Sequence, residues 1–88
     1  MIIFMTNKEY QDKKAVALNE ICDEVDRAKS MFRDNFINQH EAYAVILEEI
    51  EELLAEIKKN QKNYDLVAMR KEAVQSGAMI VRLITELL

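Results

Sequence analysis

The chain has no proline and no tryptophan, and it holds one glycine, one cysteine and one histidine. Without proline and with a single glycine, the usual punctuation of turns, hairpins and strand edges is missing, which argues against a β-rich or loop-rich fold. A lone Cys22 closes no internal disulfide. With His40 on a different segment, it supports neither a thiolate metal site nor a cysteine nucleophile, and its position among apolar residues predicts a buried thiol in a reducing cytoplasm. Excess positive charge is also lacking: 12 basic against 16 acidic residues give a net charge of −4, whereas affinity for duplex nucleic acid draws on clustered Lys and Arg. No apolar run approaches the ~18 residues of a membrane span, and the opening MIIFM is too short for a signal-peptide core. A soluble, cytoplasmic protein with no membrane partner is expected.

What is present is helical in composition: half the residues are apolar and 32% are charged. Eighty-eight residues make one domain, 1–88, near the size at which a single core is only marginally stable. The expected architecture is all-α, an antiparallel bundle of three main helices per chain. Self-association to a homodimer or homotetramer would complete its core.

Thr6 followed by Glu9 has the spacing of a capping box, and Leu18, Ile21, Cys22, Val25, Ala28 and Phe32 then recur at helical spacing, predicting a first helix over 7–33. Asn38 and Glu41 repeat the capping signature before a second helix that ends at Lys58 and Lys59. Its apolar stripe is Tyr43, Ile46, Leu47, Ile50, Leu53, Leu54 and Ile57. The stretch 58–64 turns polar and basic, as a short hairpin loop with Asn60 or Asn63 in left-handed geometry would, and Asn63 or Asp65 can cap a third helix. In that helix Leu66, Met69, Ala73, Val74, Gly77, Ile80, Val81, Ile84 and Leu87 form the expected apolar face. Glu72, Gln75, Met79, Arg82 and Glu86 form a separate stripe, with Glu72 nearest the apolar face beside Met69 and the others turned further away. Gly77 costs about 1 kcal/mol against alanine in mid-helix, which points to a close helix crossing.

At about 100° per residue, Glu49, Glu52 and Glu56 line one edge of the second helix beside Ala42 and Val45. Like charges so placed repel, so the edge is either a solvated acidic face or is compensated by a divalent cation or by a basic side chain from another helix. A short hairpin would bring Glu72 and Gln75 of the third helix toward Glu49 and Glu52. Glu20, Glu24 and Arg27 of the first helix could lean toward the same carboxylates, or form a solvated surface of their own.

Glu48, Glu49 and Glu52 in EEIEE, followed by Glu72 in EAVQ after a gap suited to a helix hairpin, resemble the paired motifs E-E-x-x-E and E-x-x-D of the MazG-like all-α nucleoside triphosphate pyrophosphohydrolases. HEAYAVILEE and KEAVQSGAM look like small phage-type members of that group, and the resemblance covers about residues 38–85. One position departs from it. Gln75 stands where the second motif has aspartate, and its amide oxygen can ligate a cation without bringing charge.

The resemblance implies Mg²⁺-dependent cleavage of a nucleoside triphosphate, ribose or deoxyribose, to monophosphate and pyrophosphate. It implies Glu48, Glu49, Glu52 and Glu72 as catalytic residues and Glu49, Glu52, Glu72 and Gln75 as cation ligands. Lys59, Lys71, Arg82 and Gln75 are the expected substrate contacts, although solvated helix ends also account for basic residues in such places. The other expectation is a non-catalytic helical dimerisation module that keeps the fold with a degenerate metal site.

Overall fold

The computed structural model describes residues 4–59 and 65–88. Among the described residues, three helices make up an all-α bundle: α1 (Asn7–Met31), α2 (Gln39–Lys59) and α3 (Leu66–Leu87). The hairpin stretch expected at 58–64 lies mostly outside the described residues, as do the first three residues of MIIFM. Phe4 and Met5 are exposed.

Each helix begins where the sequence offers a side-chain acceptor for an orphan backbone N–H. Thr6 Oγ1 accepts from the Glu9 N–H at 3.1 Å, Asn38 Oδ1 from the Glu41 N–H at 2.9 Å, and Asp65 Oδ1 from the Ala68 N–H at 3.0 Å. Glu41 reaches back to accept from the Ile37 N–H at 3.0 Å, so the start of α2 is held from both directions. α1 ends at Met31, two residues before the expected limit, with the Phe32 N–H closing the last turn on the Ala28 carbonyl at 2.7 Å.

α3 is the central element. It packs against both neighbours, whereas α1 and α2 do not pack on each other among the described residues. Residues 42 and 49 of α2 lie against 79 and 72 of α3, so these two run antiparallel; Glu20 and Lys29 of α1 meet Arg70 and Glu86, so α1 and α3 run parallel. The body is 21 Å thin, about two helix diameters. A trough therefore remains above α3, between α1 and α2. Gly77 faces α1: a Cβ there would stand 3.1 Å from Ile21 Cδ1, so a larger residue would need the Ile21 side chain to shift by a few tenths of an ångström.

The core is thin and made of small residues. Ala28, Phe36, Ala42, Ala78 and Met79 are its buried apolar members, with Ile21, Val25, Val45, Ile46, Leu83 and Leu87 packed around them. Three expectations are corrected here. On α3, Ile80, Val81 and Ile84 are exposed, while Met79 and Arg82 of the supposed outer stripe are buried, because a helix flanked on two sides covers a wider arc than one apolar stripe. On α2, Tyr43, Leu47, Ile50, Leu54 and Ile57 stay 40–65% exposed, and the face against α3 is built from Ala42, Val45, Ile46, Glu49 and Leu53. Cys22 is exposed, because α1 turns Ile21 and Val25 inward and carries the thiol round to solvent.

The two buried polar residues of α3, Ser76 and Arg82, are paired. Ser76 Oγ donates to the Glu72 carbonyl at 2.8 Å. Arg82 makes a two-point ion pair with Glu86, with Nε to Oε2 at 2.7 Å and Nη2 to Oε1 at 3.2 Å. It also donates to the Asp34 carbonyl at 3.2 Å and lies 4.4 Å over the Phe36 ring. Glu86 in turn accepts from the Phe36 N–H at 2.7 Å. These contacts tie the α1–α2 connection to the end of α3 and close one end of the trough.

Candidate metal centre

The α2–α3 interface brings three carboxylates together at mid-height. One oxygen each from Glu49, Glu52 and Glu72 lies within 4.8 Å of the other two. Glu49 and Glu52 are one turn apart on α2, and the antiparallel pairing sets Glu72 of α3 opposite them. Glu52 is exposed, whereas Glu49 and Glu72 are half-buried. Oε2 of Glu49 and Oε2 of Glu72 are buried with no hydrogen-bond donor.

That arrangement is costly when all three are ionised. At an effective dielectric of about 20, unit charges about 5 Å apart repel by roughly 3 kcal/mol, less where Glu52 reaches water. The cost is visible in the acid–base balance. Burial, then the charges of Glu52, Glu72, Glu48 and Glu24, push the Glu49 carboxyl above its ordinary range. Burial and the adjoining Glu52 carboxyl push Glu72 upward, with Lys71 opposing in part.

The donor set fits a hard divalent cation. Around an octahedral Mg²⁺ ion, with metal–oxygen distances of about 2.1 Å, ligand oxygens stand about 3.0 Å apart when adjacent and about 4.2 Å when opposite, so side-chain rotations that move the oxygens by about 1–2 Å would close the three around one ion. An ion there would also give the two donorless oxygens a partner. Glu52 is the exposed member, so an ion held by the three would stand at the solvent edge of the interface.

Glu48 is exposed and outside the three-oxygen cluster, though its charge reaches Glu49. Gln75 is half-buried, one turn from Glu72, and lines the trough on both sides. Lys71 is exposed beside the outer part of the trough. Lys59 pairs with Glu56 at 3.4 Å near the end of α2. Arg82 is buried with its guanidinium committed to Glu86, Asp34 and Phe36, so contact with a substrate would require giving up those bonds. His40 is exposed in the first turn of α2.

Two cavities run along α3 on its α1 side, and of the three carboxylates only Glu49 lines one of them, the inner. The outer one, about 700 Å³, is walled by Glu20, Asp23, Glu24, Arg70 and Lys71; the inner one, about 300 Å³, runs from Glu49 over Val45 and Met79 to Phe32 and Phe36. Arg27 and Glu24 of α1 stand at the wall common to both, joined by a 2.6 Å ion pair. The sequence leaves the rotation of α1 open. What turns Glu24 and Arg27 toward the trough is the seating of Ile21, Val25 and Ala28 on α3.

Comparison of the chain with protein-family models, with curated proteins and with solved structures finds no match in any of the three.

Proposed function

We propose that this protein is a Mg²⁺-dependent nucleoside triphosphate pyrophosphohydrolase, the activity that its resemblance to the MazG-like group implies. The observation that carries the reading is the Glu49–Glu52–Glu72 cluster, in which two buried carboxylate oxygens have no donor and three donor oxygens lie within reach of one ion. Glu49, Glu52 and Glu72 would hold the cation, with Gln75 available as a neutral oxygen donor one turn from Glu72. When bound, Mg²⁺ supplies neutralisation of phosphate charge and Lewis-acid activation of water. Glu48, exposed beside the cluster, is the carboxylate left to take a proton from the attacking water on one of its oxygens. Lys71 would meet the phosphates from the rim of the trough, and Lys59 from the end of α2, whereas Arg82 fixes the wall.

The assay is pyrophosphate release from nucleoside triphosphates with Mg²⁺, for the parent and for Glu52→Gln. Pyrophosphate should appear with the parent and fall by a factor of at least about 100 in the variant. Equal release by both would rule out the site.

The same reading includes a homodimer. Tyr43, Leu47, Ile50, Leu54 and Ile57 follow one another at alternating four- and three-residue steps, the spacing of a helix-pairing seam, and they are the exposed side of α2. This exposed seam also favours the second reading, a helical dimerisation module without catalysis, in which Gln75 marks a cluster that no longer turns over. Pyrophosphate release separates the two.

A further inference from the structure

A triphosphate at this site would face an acidic wall, since Glu24, Glu48, Glu52 and Glu56 surround Glu49 and Glu72. A single divalent cation leaves that wall net negative, so a further positive group is needed where the phosphates would lie. The basic residues divide by position. Arg82 is buried and spent on Glu86, Lys59 sits beside Glu56 at the end of α2, and Lys71 and Arg70 line the outer cavity but not the inner one, Arg70 paired with Glu20 at 2.8 Å. Arg27 lines both cavities, next to Glu49 and Gln75 in the inner one, and its side chain is 53% exposed.

Its bonding is that of an arginine held in readiness. Nε and Nη2 reach one carboxylate, Glu24, at 2.6–2.7 Å, and Nη1 rests 2.8 Å from Met31 Sδ, a weak acceptor. Glu24 is one turn back on the same helix and only 10% exposed, so it fixes where the guanidinium points. The planar fork matches a phosphate edge as well as a carboxylate, so a phosphate entering the trough can replace Glu24 as its partner.

We propose that Arg27 is the phosphate-binding arginine of this trough and that Glu24 is its built-in competing anion, keeping the guanidinium beside the carboxylate cluster until a di- or triphosphate displaces it. This inference rests on the nucleotide-hydrolase reading, and it assigns to α1 a part in the site that the α2 and α3 motifs do not supply.

The test is calorimetric binding of inorganic pyrophosphate, with and without Mg²⁺, to the full chain and to Arg27→Gln, Arg27→Lys, Glu24→Gln and Arg70→Gln, with folding checked by circular dichroism. Arg27→Gln should weaken pyrophosphate about ten- to a hundredfold while binding Mg²⁺ alone as the parent does. Arg27→Lys should retain part of the affinity, and Glu24→Gln should tighten metal-free pyrophosphate binding severalfold by removing the competitor. Arg70→Gln, equally exposed but on the outer wall, should bind like the parent. Unchanged affinity in Arg27→Gln, or an equal loss in Arg70→Gln, would overturn the assignment while leaving the cation site standing. A parent that binds no Mg²⁺ would remove the hydrolase reading, and this inference with it.

Discussion

Glu49 of α2 and Glu72 of α3 face each other with one oxygen apiece, Oε2, buried and without a donor. Two half-buried carboxylates in that relation destabilise the fold whenever both are ionised, so the apo protein should gain stability when either is neutralised. Glu49→Gln and Glu72→Gln should each raise the apo unfolding temperature by several degrees, about 1 kcal/mol being worth 4–8 °C in a domain this small. Thermal unfolding at neutral pH without divalent ions is the measurement. A fall in both variants would mean that the carboxylates have partners this account leaves out.

Glu86 has the opposite sign. Burial alone would raise its carboxyl, but the Arg82 hydrogen bonds, the Phe36 N–H and the charges of Arg82 and Lys29 hold it below the ordinary range. Its stabilising contribution is therefore complete above the unfolded-state value of about 4.3 and is lost as pH falls through the lower folded value. Glu49 and Glu72, raised in the fold, cost stability above their folded values, and that cost disappears as pH falls toward the ordinary glutamate value. Apo stability should thus rise from neutral toward mildly acidic pH and then drop. Glu86→Leu should destabilise by about 3–5 kcal/mol by leaving Arg82 buried and unpaired, and Arg82→Met with Glu86→Leu should cost less than the sum of the single changes. Denaturant unfolding across pH 3–8 in this variant set checks the signs and the coupling.

The helices and their caps are legible in the sequence because they rest on local chemistry: Thr6, Asn38 and Asp65 satisfy backbone donors within their own first turns. The meeting of Glu72 with Glu49 and Glu52 is legible for a similar reason, since a short hairpin and the helical repeat together set which residues face across it. The burial of Arg82 is not. Its stripe on α3 reads as an outer flank, and only the position of α3 between two helices, with Phe36 folded back beneath it, turns that flank inward. Ile80 and Ile84 err the other way. Apolar periodicity says that a face needs covering, but not whether a helix of the same chain covers it.

The exposed seam of α2 should be where a second copy attaches. Leu47→Asp with Leu54→Asp places two charges on it without touching the α2–α3 interface, so sedimentation should show the parent as a dimer and the double variant as a folded monomer. A parent that sediments as a monomer at micromolar concentration would contradict the seam.

Gln75→Asp tests how far the cluster has been weakened. Aspartate one turn from Glu72 adds a charged oxygen to the cation ligands, so Mg²⁺ affinity and pyrophosphate release should both rise. If Gln75 instead hydrogen-bonds the nucleotide, Mg²⁺ affinity rises while turnover falls. No change in either would remove Gln75 from the site.

The claim on which the rest depends is that Glu49, Glu52 and Glu72 hold a divalent cation, and the most direct measurement is a Mg²⁺ titration followed by thermal unfolding. At about a hundred times the dissociation constant the bound ion should add about 2.7 kcal/mol to the parent. Glu49→Gln, more stable than the parent without Mg²⁺, should show almost no response to it. A parent whose unfolding temperature stays fixed through millimolar Mg²⁺ would contradict the account.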